Sequence, residues 1–195
     1  MIKTKEDLKY YLQEDARKYA IHANFSWSKV KYNLLAHPRI NNGIIWRHIK
    51  ALRYYEYYSN QAKPLSLWSQ FCLLYYAHKL RKLSYKTGFQ MAPNVIGPGL
   101  TIFHYGPIIC NAKARIGAYA TLNPNITIGH KVPGGPAPII GDHVFIGSGA
   151  RVIGGVHVGN NVTIAPNAVV THDVEDNVVV GGIPAKEIRR KEQSQ

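Results

Sequence analysis

Residues 140–170 read IGDHVFIGSGARVIGGVHVGNNVTIAPNAVV. An aliphatic residue recurs at every sixth position, namely Ile140, Ile146, Val152, Val158, Ile164 and Val170. Small or β-branched residues fall four positions after each of them, at Val144, Ala150, Val156, Val162, Ala168 and Val174. Neither an α-helical stripe nor a simple alternating strand has a period of six. The pattern predicts a β-helix, in which the chain turns a corner every six residues and triangular coils of about eighteen residues stack roughly 4.8 Å apart.

The same period extends towards the N-terminus with two interruptions. The sixes continue through Ile128, Leu122, Ile116 and Cys110, whereas Ile108, Ile102 and Ile96 are offset from them by two residues. This offset predicts a two-residue bulge near His104. The second interruption lies between Ile128 and Ile140, where residues 131–136 (KVPGGP) are expected to loop outward. Loops that project from a rigid scaffold often carry functional sites.

The first half of the chain predicts helices instead. Thr4 and Asp7 form a capping pair for a first helix, and a second helix is predicted over residues 28–36. A third helix carries Ile45, Ile49 and Leu52 at helical spacing, and a fourth starts after Pro64 and stops near Gly88. On this last helix the spacing places Leu67, Phe71, Leu74, Leu80 and Leu83 on one face, with Trp68 and Tyr75 on the same broad face, and we interpret this stripe as core. We therefore expect an α+β protein with a basic, Tyr-rich helical domain at residues 1–90 and a β-helix at residues 91–195, which ends in a short basic tail.

The net charge of +13 is concentrated in the first half. Residues 1–90 contain 16 Lys/Arg and 5 Asp/Glu, whereas residues 91–195 contain 8 and 6. This asymmetry is typical of proteins with an acidic partner such as an anionic membrane or an acidic glycan, although a solvated basic surface is the more common explanation. Nucleic acid is the partner we rank lowest. Cys72 and Cys110 have no paired spacing, and no signal peptide or spanning segment is evident, so we expect a cytoplasmic protein that is at most peripheral to the membrane.

Histidine is the main candidate for chemistry. The sequence contains no Walker loop, HExxH motif or nucleophile elbow, and its Cys spacing gives no reason to expect a metal. His104 falls in the predicted bulge, His130 at the start of the predicted loop and His143 at an outward repeat position. A histidine is suited to removing a proton from an attacking hydroxyl near neutral pH.

Residues 94–190 resemble the left-handed β-helix acyltransferases, specifically the serine acetyltransferase branch and its capsule- and exopolysaccharide-modifying relatives. The matching segments are residues 99–106 (GLTIFHYG), the repeats, and residues 180–186 (VGGIPAK). The resemblance implies a left-handed coil, a homotrimer with active sites between subunits, and acetyl-CoA as donor. It places the catalytic base at His104, with His130 as the alternative because galactoside acetyltransferases place their histidine in that loop. It aligns the acetyl-CoA contacts with Ser148, Pro166, Thr171, His172 and Arg189.

Three departures from the branch bear on the acceptor. Phe89 and Phe103 stand where serine acetyltransferases carry carboxylates that orient the catalytic histidine, and Ala137 replaces a second histidine. These departures favour a sugar hydroxyl of a surface polysaccharide (capsule, exopolysaccharide or O-antigen) or its precursor as acceptor. The alternative is a serine O-acetyltransferase of cysteine biosynthesis. A β-helix scaffold and a basic binding module are the non-enzyme alternatives.

Overall fold

A computed structural model describes residues 1–17, 41–62 and 64–192. In these residues the helices are α1 (Lys5–Ala16), α2 (Asn41–Ser59) and α3 (Leu67–Thr87). The helix predicted over residues 28–36 lies outside the described residues. None of the described helices is long and apolar enough to cross a bilayer.

The predicted ends of the first and last helices are confirmed. Thr4 accepts a hydrogen bond from the backbone N–H of Asp7, and the Asp7 carboxylate accepts one from the Thr4 N–H, which completes a capping box. Ser66 caps the start of α3, and Gly88 ends it in the left-handed region at φ 81°. The next residue, Phe89, begins the first strand.

The strands form the three sides of the β-helix. Side A contains β1 (Phe89–Met91), β3 (Ile108–Cys110), β6 (Ile126–Gly129), β9 (Arg151–Ile153) and β12 (Val169–Val170). Side B contains β4 (Arg115–Ile116), β7 (Ile139–Ile140) and β10 (His157–Val158). Side C contains β2 (Thr101–Ile102), β5 (Thr121–Leu122), β8 (Phe145–Ile146), β11 (Thr163–Ile164), β13 (Val178–Gly182) and β14 (Ala185–Arg190). The chain passes from side A to side B to side C in each coil, and the repeated aliphatic residues fill the interior.

Strand pairing confirms both predicted interruptions. Ile140 pairs with Val158, eighteen positions along, which is a regular coil. Ile96 pairs with Ile116, twenty positions along, so the first coil has two extra residues. Ile116 pairs with Ile140, twenty-four positions along, so the second coil has six extra residues. A third irregularity was not predicted from the sequence: the Val158–Val174 bridge makes the last coil two residues short.

Different elements close the two ends of the β-helix. Helix α2 packs Ile45, Ile49 and Leu52 against the first coil, and all three are fully buried. At the other end, β14 pairs antiparallel with β13. The predicted basic tail is therefore wrong as far as Arg190, because this segment is a strand that covers the final coil.

A buried ion cluster fixes the helices to the first coil. The Arg53 guanidinium on α2 donates to the Asp15 carboxylate on α1 at 2.8 Å and to the carbonyl oxygens of Ile96 and Gly97 at 2.8 and 2.7 Å. The Asp15 carboxylate also accepts from the Leu100 N–H at 2.8 Å. Burial alone would lower the pKa of Arg53, but the carboxylates of Glu56 and Asp15 raise it above its usual value. Arg53 and Asp15 thus bond helices α1 and α2 to the backbone of the coil that leads into the His104 bulge.

The interpretation of the α3 stripe as core is wrong for its N-terminal part, whereas Leu80 is half-buried against the core and Leu83 is half-buried. Leu67, Trp68, Phe71, Leu74 and Tyr75 are all at least half exposed. Helix α3 instead uses another face, where Tyr76 stacks on Tyr54 of α2 with ring centroids 4.7 Å apart. Helical spacing identified a common face for these side chains, but spacing alone does not say which face of a helix meets its neighbour.

Candidate active site

His104 lies in the bulge between β2 and β3, at the corner where side C passes into side A. The bulge is anchored at Gly106, whose N–H donates to the Thr87 carbonyl oxygen at the end of α3 at 2.8 Å. Gly106 has φ 139°, and a Cβ there would lie 2.9 Å from the Cβ of Pro124 in the next coil. Only glycine fits this close approach. The two extra residues therefore form a fixed turn that presents His104 to solvent.

The neighbours of His104 are aromatic. Phe103 and Tyr105 are 49% and 53% exposed. Phe89 is fully buried and packs against the ring of His48 at 5.0 Å, so its position belongs to the core. Within residues 1–17, 41–62 and 64–192, His104 makes no hydrogen bond to a carboxylate. The departures from the family pattern therefore leave the imidazole of His104 without an acidic partner in this part of the chain.

Two predicted acetyl-CoA contacts share a corner with His104. Ser148 and Pro166 occupy the passage from side C to side A in the third and fourth full coils, and both are exposed. They stack directly, since the Asn167 N–H donates to the Ser148 carbonyl oxygen at 2.9 Å. Gly147 is required beneath Pro166, because a Cβ there would lie 2.5 Å from the Pro166 nitrogen. His104, Ser148 and Pro166 therefore lie along one edge of the β-helix.

The other predicted site residues lie elsewhere on the chain. His130, Thr171 and His172 occupy the corner from side A to side B, where the Thr171 hydroxyl lies 3.1 Å from Nδ1 of His172. Arg189 is exposed on β14, opposite Val179 of side C. Pro166 and Thr171 lie at opposite ends of side A, and the five-residue span between them can extend over at most roughly 16 Å, at about 3.3 Å per residue. A single chain does not bring the two sets together.

The loop that starts at His130 is braced from both neighbouring coils. Below it, the Asn111 side-chain amide contacts His130 at 2.7 Å, and the Lys113 ammonium donates to the Gly134 carbonyl oxygen at 3.2 Å. Above it, Pro136 packs on Gly155, where a Cβ would lie 2.7 Å from the Pro136 Cβ. Asn111 was not among the site residues predicted from the sequence. It could have been found from its position in the repeat, because Asn111 begins the corner from side A to side B one coil before His130 begins the same corner.

His143 is a structural residue. It has φ 58° and stacks on the ring of Tyr119, itself at φ 58°, with centroids 4.8 Å apart. Through this ring contact, the corner from side B to side C in one coil packs on the same corner of the next coil. In the part of the chain that the structure describes, no group of three His, Cys, Asp or Glu side chains could hold a metal ion.

Comparisons with known proteins point to one family. Residues 137–172 match the bacterial transferase hexapeptide family (six repeats). The serine acetyltransferase of Staphylococcus aureus strain Mu50 is 30% identical over 150 residues, which cover 75% of this chain and 64% of that protein. The Neisseria gonorrhoeae serine acetyltransferase in complex with serine has a TM-score of 0.63 at 24% identity and covers 95% of this chain and 70% of that one. The Brucella abortus strain S19 enzyme in complex with coenzyme A has a TM-score of 0.64 at 22% identity and covers 97% and 71%.

The resemblance to the serine acetyltransferase-like branch is confirmed. The solved structures, at these identities, show the fold alone: helices followed by a left-handed β-helix, as predicted. The chain spans between about half and two thirds of the length of the relatives it matches, with 44% for the Synechococcus elongatus serine acetyltransferase and 64% for the Staphylococcus aureus protein.

The predicted polysaccharide acceptor is contradicted by these comparisons. The matching relatives and structural neighbours are serine acetyltransferases, which favours the alternative stated from the sequence. The polysaccharide acceptor was inferred from the absence of two carboxylates and one histidine, which are replaced here by Phe89, Phe103 and Ala137. The absence of a positioning group does not by itself specify another acceptor.

Proposed function

We propose that this protein is a serine O-acetyltransferase that uses acetyl-CoA as donor. The observation that carries the proposal is the similarity to serine acetyltransferases over the β-helix, at 33% identity over 107 residues for the Synechococcus elongatus protein. The neighbours that contain serine and coenzyme A support the two substrates. The exposed histidine on a fixed turn supplies the group that the chemistry needs.

His104 acts as the general base in this proposal. Its imidazole removes the proton from the serine hydroxyl while the oxygen attacks the thioester carbonyl carbon. The tetrahedral intermediate collapses with loss of the CoA thiolate, which takes up the proton that the imidazole holds. Backbone N–H groups stabilise the oxyanion. Proton transfer requires the imidazole nitrogen to lie within hydrogen-bond distance of the serine hydroxyl. The hydrogen bond from the Gly106 N–H to the Thr87 carbonyl oxygen fixes the turn that positions this imidazole.

Acetyl-CoA binds in this proposal along the edge that Ser148 and Pro166 extend from the His104 bulge. Thr171 and His172 contribute from the other side of the cleft, and Arg189 on β14 supplies a cation for phosphate groups. Because one chain separates these sets by the width of side A, a neighbouring subunit completes the cleft. A closed threefold assembly gives each of three equivalent sites one corner from each of two subunits.

The direct test incubates the full chain with acetyl-CoA and L-serine, and follows release of the CoA thiol together with the mass of O-acetylserine. We expect thiol release that depends on serine and is lost in His104→Ala. Threonine and homoserine serve as matched acceptors that differ by one carbon. Thiol release that stays at the rate of acetyl-CoA hydrolysis with all three hydroxy amino acids contradicts the proposal.

A further inference from the structure

Asn111 is the side chain that fixes the hydrogen-bonding state of His130. Its Nδ2 lies 2.7 Å from Nδ1 of His130. The two ends of an amide are told apart by their partners. The Asn111 Oδ1 accepts from the Lys113 backbone N–H at 2.8 Å, so the group that faces His130 is the NH₂ donor.

A donor facing Nδ1 requires a lone pair on that nitrogen. The proton of the neutral ring must then sit on Nε2, and His130 presents an N–H donor there. An N–H at Nδ1 would face the NH₂ group of Asn111 at 2.7 Å, so the Nδ1–H tautomer does not fit this contact. His130 therefore presents an N–H donor at Nε2 rather than a lone pair.

We propose that Asn111 is a positioning residue that makes His130 a neutral Nε2–H hydrogen-bond donor to the carboxylate of the amino-acid acceptor. This inference rests on the proposed function for the identity of the acceptor, but not for the state of the ring. It also separates the two histidines by role, because a base needs a lone pair at the nitrogen that meets the hydroxyl. His104 of one subunit keeps the role of base, and His130 from the facing corner of a neighbouring subunit binds the acceptor.

Imidazole ¹⁵N NMR of the full chain tests the ring state without any substrate. We expect wild-type His130 to be the Nε2–H tautomer at pH 7. Asn111→Asp keeps the shape and the Lys113 bond but offers an acceptor to Nδ1, so it should move the proton of the ring from Nε2 to Nδ1. Asn123→Asp is the matched control, because Asn123 donates to the Ile146 carbonyl oxygen at another corner. An imidazolium or an Nδ1–H tautomer in the wild type overturns the inference.

Kinetics with serine tests the donor role. His130→Gln retains an N–H donor and should raise the KM for serine less than about tenfold. His130→Phe removes the donor and should raise the KM by roughly 12- to 160-fold, which corresponds to the loss of about 1.5 to 3 kcal/mol for a hydrogen bond to a charged group. The kcat should change little in both. A His130→Gln protein that loses turnover as completely as His130→Phe indicates a base at this position and overturns the proposal. A wild type with no activity on serine refutes the proposed function, while the NMR result stands by itself.

Discussion

At the scale of single residues, His104 owes its placement to two extra residues in one corner of the first coil. A regular coil would lack the two extra residues that form the turn. His104 would then not be presented on the edge of the β-helix that carries Ser148 and Pro166. The residue type and the local insertion could both be read from the sequence. The Gly106–Thr87 bond that stiffens the turn could not, because it joins the turn to the end of α3.

Replacing His104 by Ala should lower kcat by about 10² to 10⁴, the usual loss for a general base, with little change in acetyl-CoA affinity. Turnover of serine at saturation and binding of acetyl-CoA by calorimetry measure the two effects. His78→Ala on the exposed part of α3 is the control and should leave both unchanged. A His104→Ala protein that retains more than about a tenth of its turnover would reverse the assignment of the base.

His48 should make stability depend on pH. Burial lowers its pKa to about 4, although a hydrogen bond to the Leu83 carbonyl raises it in part. The unfolded chain takes up the proton near the ordinary histidine value, so the folded state binds fewer protons between about pH 6.5 and pH 4. The stabilisation is complete above pH 6.5 and is lost as the pH falls, by on the order of 3 kcal/mol at pH 4.

Urea unfolding at a series of pH values measures this dependence. His48→Asn keeps a polar group near Nδ1, removes the titrating ring and should flatten the profile between pH 7 and pH 4. The exposed His78→Asn provides the comparison and should keep the wild-type slope. An unchanged slope in His48→Asn would show that other groups cause the acid sensitivity.

At the scale of elements, the sequence predicted what local periodicity controls. The six-residue pattern identified the β-helix, its two long coils and the turn at His104, because every repeat carries its own aliphatic residue. Contacts between distant segments carry no such pattern. The Asn111–His130 bond, the short last coil and the exposed face of α3 were therefore missed or misjudged.

The Arg53 cluster joins elements that are far apart in the sequence, and its loss should lower the free energy of unfolding substantially. In Arg53→Met the carboxylates of Asp15 and Glu56 stay buried without their cation, which we expect to cost about 3 to 5 kcal/mol. Urea unfolding at pH 7 measures the change. Arg190→Met removes the exposed pair with Glu175 and should leave stability nearly unchanged. Equal effects of the two substitutions would contradict the view that the buried cluster holds the helices on the first coil.

At the scale of the whole molecule, the separation of the two corners is the feature with the largest consequence. His104, Ser148 and Pro166 share one edge of the β-helix, whereas Thr171 and His172 lie across side A. A cleft that uses both sets has to be built from two subunits. The resemblance stated from the sequence implied a trimer, and the position of the corners gives a physical reason for it.

Active-site complementation tests this account most directly. His104→Ala and Thr171→Asp should each abolish turnover in a homotrimer, the first by removing the base and the second by placing a carboxylate against the phosphates of acetyl-CoA. In trimers formed from equal amounts of the two variants, random assembly gives one site in four with both residues intact. We therefore predict about a quarter of the wild-type turnover of serine. No recovered turnover in verified mixed trimers would contradict an active site shared between subunits.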